Sequence, residues 1–206
     1  THNSSVGSID AAYTFQVVEP VKPQPGHQTF LGYRCADGRA GTRNYIAVIS
    51  TVNCSAHVTV EIARAFTRTR LAAFANIDGV ISLVHSTGCS YNPNDLSHTY
   101  LRRTLANIAR NPNIGGYVFV SLGCEGNPID GYCDAASINP SIDTLKPYPV
   151  AGTGIVIQDQ GGFRKTVAAG VAAIEAMLPQ VNATARTPQP ISELSLALQC
   201  GGSDGW

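Results

Sequence analysis

The sequence predicts an α/β fold: a Rossmann-like three-layer sandwich on a mainly parallel five-stranded sheet, preceded by an extended arm and a hairpin. Three observations predict it. Short, continuous apolar and β-branched runs recur along the chain, and helical periodicity follows most of them. Strands of that character need cover on both faces, which helices alternating with them supply. At 206 residues and 44% hydrophobic composition the chain can bury one sizeable core, so one domain with extra arms accounts for the length.

Residues 1–28 carry Pro20, Pro23, Pro25 and Gly26 among polar neighbours, which suits a linker or arm; the α/β domain is expected over 29–206. Residues 29–43 read as two extended runs around the tight-turn pair Asp37-Gly38. Tyr45 to Thr51 is the first buried strand. Ser55 is placed to cap a helix carrying Val58, Ile62, Ala65 and Phe66 on one face. A second unit pairs a strand from Gly79 to His85 with a helix from about Asp95 to Arg110, its inner face Leu101, Leu105 and Ile108. Tyr117 to Leu122 is the third strand, and Asn127-Pro128 is helix-start chemistry for a short segment through Ile129, Tyr132, Cys133 and Ala136. Thr153 to Gln158 gives the fourth strand, and Gly161-Gly162 open a helix with Val167, Val171, Ile174 and Leu178 in register. Leu194 to Gln199 completes the set as a fifth strand. A faint echo, Asn76-Ile77-Asp78-Gly79 against Asn113-Ile114-Gly115-Gly116, follows from repetition of the βα unit.

The 14 basic and 14 acidic residues cancel, so nothing points to nucleic acid or an acidic membrane surface, and a small-molecule partner is expected. No apolar run approaches the roughly 20 residues of a membrane span, and no secretory signal opens the chain, which reads as cytoplasmic. Self-association into a homo-oligomer stays open. A chain with this core does not need its six cysteines as disulfide staples; free thiols or metal ligands fit better.

On this layout Cys54, Cys89, Cys124 and Cys200 each fall at or just past the carboxyl end of a different strand. That edge is where open parallel sheets bind ligands, since helix N-termini point free N–H groups into it. A thiol there ionises more readily, and the thiolate binds metals or attacks electrophiles. His85, four residues before Cys89, adds an imidazole. Glu125 can be a metal ligand, a general base, or simply the acidic first-turn residue that a helix start favours. A mixed sulfur, nitrogen and oxygen set suits iron or zinc, whereas oxygen-rich completion by substrate favours iron, manganese or magnesium. Cys200-Gly201-Gly202-Ser203-Asp204-Gly205 is a loop suited to close backbone approach, with Asp204 as an oxygen ligand. Arg43, Arg102 and Arg103 offer guanidinium forks for a substrate carboxylate. Cys35 and Cys133 lie away from the edge, and His57 and His98 are assigned exposed, bland roles.

Several of these residues together resemble one family. Asp37-Gly38 with Gly41-Thr42-Arg43-Asn44, then Thr51-Val52-Asn53-Cys54, His85 with Gly88-Cys89, Arg103-Thr104, Gly123-Cys124-Glu125 and Cys200-Gly201-Gly202-Ser203-Asp204 follow the order seen in altronate and galactarate dehydratases. The resemblance runs from about Thr29 to the last residue. It implies that the chain is the middle part of a larger enzyme, with a small domain before it and a large one after the Cys-Gly-Gly-Ser-Asp loop; Thr1-His2-Asn3 resembles the exit from the first. It also implies elimination of water from a hexonic or hexaric acid, helped by a divalent metal, Fe(II) foremost and Mn or Mg as alternatives, to give a 2-keto-3-deoxy acid. A relative that eliminates sulfite from sulfolactate leaves the leaving group open.

Elimination next to a carboxylate needs stabilisation of an enediolate-like dianion, which a metal on the substrate oxygens provides, and a base for the carbon acid's proton. The expected metal ligands are a subset of His85, Cys54, Cys89, Cys124, Cys200 and Glu125. Glu125 and His85 are the catalytic candidates, and Arg43, Asn44, Arg103, Ser203 and Asp204 are the substrate-binding ones. Two other readings compete: an iron–sulfur domain held by Cys54, Cys89, Cys124 and Cys200, and a non-catalytic sugar-acid-binding module. The chain alone is expected to lack activity, because a site without its covering domain stays open to water.

Overall fold

The computed structural model describes residues 26, 28–89, 96–127, 129 and 151–197. Four parallel strands make its centre: β3 (Tyr45–Ser50), β4 (Gly79–Leu83), β5 (Ile114–Ser121) and β6 (Ala151–Val156), in the order β4-β3-β5-β6. The alternation of side chains along a strand sends successive residues to opposite faces. Ile46 and Val48 of β3, with Val118 and Val120 of β5, meet Val58 and Ile62 of α1 (Ala56–Arg64) and Ile174 and Leu178 of a later long helix. Ala47, Ile49, Tyr117 and Phe119 face the other way, onto Leu105 and Ala109 of α2 (Leu96–Ala109).

The chain leaves β3 through α1 to reach β4 on one side, then returns through α2 to β5 on the other side of β3. Right-handed crossovers in opposite directions place α1 and α2 on opposite faces. The reversal of direction makes the carboxyl ends of β3 and β5 a topological switch point, the crevice where such sheets bind ligands. After β6 come one short turn of helix, α3 (Ile157–Gln160), and the long α4 (Phe163–Asn182), which contains the Ile174 and Leu178 noted above.

A second, three-stranded antiparallel sheet lies apart, in the order β2-β1-β7, from β1 (Thr29–Arg34), β2 (Ala40–Gly41) and β7 (Arg186–Pro190). The Asp37-Gly38 hairpin is present, with Gly38 at φ 94°. Its turn is held by Arg39 N–H donating to Asp37 Oδ1 and by the Arg39 guanidinium on Oδ2, which offset the burial that acts on the Asp37 carboxyl and hold it below its usual range. β7 was not foreseen. Pro188 and Pro190 carry no N–H, which argues against a strand in the sequence but is tolerated at a sheet edge.

Three expectations are corrected. The parallel sheet of the described residues has four strands, not five: 194–197 form no strand, and 198–199 lie outside the described residues. Ser55 stands at the N-cap of α1 but does not cap it, because its hydroxyl is spent on the carbonyls of Val52 (2.9 Å) and Val120 (2.7 Å). The β6 run turns helical at Ile157 instead of continuing to Gln158. The short helix expected after Asn127-Pro128 and the arm at 1–25 lie outside the described residues. No helix among the described residues is long and apolar enough to cross a membrane.

The Asn76–Gly79 and Asn113–Gly116 segments both reach the start of β3, through positions that are not equivalent in the echo. Asp78 and Asn113 flank the entry to β3: Asn44 N–H donates to Asp78 Oδ2 (2.7 Å), and the N–H groups of Thr42 and Arg43 donate to Asn113 Oδ1 (2.8 and 2.9 Å). On β6, a Cβ at Gly152 would fall inside the ring of buried Tyr117. Gly152→Ala is therefore expected to cost about 1–3 kcal/mol by overpacking, read as a lower urea midpoint at unchanged slope.

Candidate functional site

The switch point is built from three loops that leave adjacent strands. After β3, Thr51 to Cys54 turn directly into α1, and Cys54 is exposed at the start of that turn. The 86–89 loop after β4 crosses the end of β3: Asn53 N–H donates to Thr87 O (2.9 Å), and Cys89 emerges exposed beyond it. Gly88 makes the crossing feasible, since its φ is 93° and a Cβ there would stand 2.9 Å from Thr51 O. After β5, Gly123 takes φ 118° and presents Cys124, also exposed.

Cys54, Cys89 and Cys124 therefore come from three neighbouring strand ends. Cys54 senses the other two: its thiol is pushed up by desolvation, then by its hydrogen bond with Cys89 and the charges of Cys89 and Cys124. Among the described residues, no three His, Cys, Asp or Glu side chains are gathered tightly enough to chelate a single ion.

Glu125 locks the β5 loop onto β3. Its Oε1 accepts from Ser121 Oγ (2.5 Å), Thr51 Oγ1 (2.6 Å) and Leu122 N (3.3 Å), and its Oε2 from Gly123 N (2.7 Å). Desolvation pulls the carboxyl up, but the bonds from Ser121, Thr51 and Gly123 outweigh it and hold Glu125 below the usual carboxylate range. It stays ionised and is a weak base. Thr51 and Ser121, both fully buried and not foreseen as site residues, are what orient it. Their signal in the sequence was two hydroxyl residues closing apolar strands.

His85 is engaged at both ring nitrogens. Thr87 N–H donates to Nδ1 (3.2 Å), so Nδ1 is an acceptor, and Nε2 carries the proton toward Ser50 O (3.0 Å). Binding a metal would require it to give up one of these bonds. Beside Cys89, a cavity of about 740 Å³ opens between the 86–89 loop and α2, lined by Thr87, Ser97, His98, Tyr100 and Thr104 among others. Asn127 Nδ2 donates to His98 O (2.9 Å) and ties the loop after β5 to this helix, while the buried His98 Nδ1 has no hydrogen-bond partner.

Two expected substrate-binding residues lie elsewhere. Arg43 and Asn44 precede β3, at the amino edge, with the strand's six residues, about 20 Å of chain, between them and the cysteine rim. Arg43 pairs with Asp78 (3.5 Å), and Asn44 is buried, donating from Nδ2 to Asn76 O (2.8 Å) and Val181 O (3.1 Å). Arg103 is half-buried on α2. Cys200, Ser203 and Asp204 lie outside the described residues, as does Cys133. Cys35 sits at the amino edge, its thiol donating to Pro112 O (3.5 Å) and pushed up by burial.

This geometry coincides with a sequence match to the family described as D-galactarate dehydratase/Altronate hydrolase, second domain, over residues 32–182. The chain belongs to that family. The second-domain match runs from the second half of β1 to the end of α4, and takes in the loops that carry Cys54, Cys89, Cys124 and Glu125. The chain is 36% identical over 195 residues to galactarate dehydratase (L-threo-forming) of Escherichia coli (strain K12), a match to 93% of this chain and 36% of that protein. It is 30% identical over 180 residues to altronate dehydratase of Bacillus subtilis (strain 168), covering 87% and 33%. It is 27% identical over 179 residues to (2R)-sulfolactate sulfo-lyase subunit beta of Chromohalobacter salexigens, covering 86% and 39%. The chain thus spans about a third of the length of these dehydratases, and as a second domain of this family it is a lyase-family domain.

Proposed function

We propose that this chain supplies part of the active site of a hydro-lyase that dehydrates an altronate- or galactarate-type sugar acid to a 2-keto-3-deoxy acid with the help of iron. The observation that carries the reading is the gathering of three thiols and an ionised carboxylate at the switch point of a dehydratase-family domain, beside a cavity of about 740 Å³. That volume is within the range of small-molecule pockets.

Bound iron would supply Lewis acidity toward the substrate's carboxylate and hydroxyl oxygens, and the thiols of Cys54, Cys89 and Cys124 are the donors this rim offers it. The chain's other groups bind and orient. The hydroxyls of Thr87, Ser97 and Thr104 line the cavity and suit the polyol chain of a sugar acid. Arg103, one residue before Thr104 on α2, is the proposed partner of a carboxylate. His85 Nδ1 can take a proton by giving up the bond from Thr87 N–H and donating to Thr87 Oγ1 (3.1 Å), with Nε2–H keeping its bond to Ser50 O and the ring's orientation. Glu125, ionised and fully bonded, anchors the loop that presents Cys124.

The reading is tested by thermal unfolding of the iron-loaded chain with altronate, galactarate, sulfolactate and the uncharged galactitol. A sugar acid at about a hundredfold its Kd adds roughly 2.7 kcal/mol of stability, so a raised Tm with altronate or galactarate and none with galactitol is expected. A shift with sulfolactate alone would replace the dehydration reading by sulfite elimination. No shift with any acid would overturn it.

A further inference from the structure

We propose that Cys54, Cys89 and Cys124 hold a [4Fe–4S] cluster that leaves one iron open to the substrate, in place of a single divalent ion. The inference deepens the dehydratase reading and rests on it for the substrate, but the site itself is argued from the rim.

The donors decide first. His85 spends Nδ1 on the Thr87 amide and Nε2 on Ser50 O. Both oxygens of Glu125 are taken by four donors from Thr51, Ser121, Leu122 and Gly123. Three exposed thiols remain as metal donors at this edge of the described residues, held only by weak bonds such as that from Cys54 Sγ to Asn53 Oδ1 (3.5 Å). An all-thiolate set is a poor match for a hard mononuclear site and is the usual match for iron–sulfur clusters or zinc.

Spacing decides next. Adjacent strands lie about 4.8 Å apart, so the ends of β4, β3 and β5, from whose following loops the three thiols come, span about 10 Å. That spread fits an inorganic core several atoms across better than one ion, and no three donors of the described residues are gathered round a single point. The loops are nonetheless fixed to one another, through Asn53 N–H to Thr87 O and Thr51 to Glu125, so the three thiols form one site.

The chemistry follows from the count. Among the described residues three thiolates stand at this edge, so one of four irons takes no ligand from them and is a Lewis acid for the substrate's carboxylate and hydroxyl. The elimination is redox-neutral: the C–H proton passes to a base and its electron pair becomes the new C=C bond, the C–O bond breaks with its pair on oxygen, and the departing hydroxide takes up one proton as water. No external oxidant or reductant enters.

Anaerobic reconstitution of the 206-residue chain with ferrous iron and sulfide tests this. About four iron and about four acid-labile sulfide per chain are expected. Mild oxidation is expected to release the open iron and leave the electron-paramagnetic signal of a three-iron cluster. C54S, C89S and C124S should each lose most of the sulfide, whereas C35S, at the opposite edge, should keep it. Since the three rim thiols are exposed, circular dichroism of the apo variants should match the parent and separates ligand loss from misfolding. About one iron per chain without sulfide, tight zinc uptake in its place, or sulfide content indifferent to all three substitutions would overturn the cluster. A cluster that assembles in a chain whose Tm no sugar acid shifts would sink the dehydratase reading alone; a sugar-acid shift with sulfide-free iron would sink the cluster alone.

Discussion

Glu125→Ala is expected to lower stability by about 3–5 kcal/mol, because it removes the acceptor of four hydrogen bonds, two of them from the fully buried hydroxyls of Thr51 and Ser121. Bonds to a charged acceptor count for more than neutral ones, and the Ser121 hydroxyl left inside without that acceptor adds its desolvation cost, whereas Thr51 keeps Val120 O (3.2 Å). Glu125→Gln keeps one oxygen but sets its NH2 against a donor, the Gly123 amide or the Thr51 and Ser121 hydroxyls, so a smaller loss is expected. The pH dependence has a definite sign. The carboxyl is held below its usual range in the fold, so its stabilisation is present above the unfolded value, about 4.3, and is lost as pH falls through the lower folded value. Urea midpoints from neutral pH into acid should fall more steeply for the parent than for Glu125→Gln. Equal slopes would remove Glu125 from the list of groups that hold the rim.

The same residue shows how far the sequence could be read. Cys54, Cys89 and Cys124 were placed at the carboxyl edge because each falls a few residues past the end of an apolar run, and strand ends are where such runs stop. The three-layer order followed from the same runs alternating with helical stripes such as Leu101, Leu105 and Ile108, which pack or bury as the spacing predicts. What the spacing could not carry was the choice among hydrogen-bond partners. Ser55 has the composition of a cap yet donates to Val120 O, and Glu125 reads equally as base, ligand or helix-start residue until Thr51 and Ser121 are seen to surround it. β7 was hidden because its prolines fit only an edge strand, and that edge is created by β1, more than 150 residues earlier in the chain. Arg43 and Asn44 stand away from the cysteine rim for a geometric reason. They stand close in sequence to Cys54, but the intervening residues are a strand, so proximity along the chain becomes separation across the sheet.

Asn44 gives the sharpest measurement of that separation. Its side chain is 4% exposed and joins three segments at the amino edge: β3, the turn at Asn76 and the end of α4 at Val181. Asn44→Ala leaves the carbonyls of Asn76 and Val181 without its amide and opens a small cavity, and a loss of about 2–4 kcal/mol is expected. Asn44→Asp should be worse at neutral pH, because it sets a buried carboxylate against those two carbonyl oxygens and close to the Asp78 carboxylate that accepts the Asn44 N–H. Leaving such a charge uncompensated costs about 3–5 kcal/mol. Here the folded-state pKa would be raised, so the deficit grows as pH rises through the unfolded value, about 3.9, and shrinks in acid, where a protonated carboxyl can donate to one carbonyl. Urea unfolding of both variants at pH 7 and pH 4 measures this, and Asn44→Asp should regain ground on Asn44→Ala at the lower pH. A residue that bound the substrate would behave differently: Asn44→Ala would keep the parent's stability and lose the sugar-acid-induced rise in Tm, and that outcome would move the binding site to the amino edge.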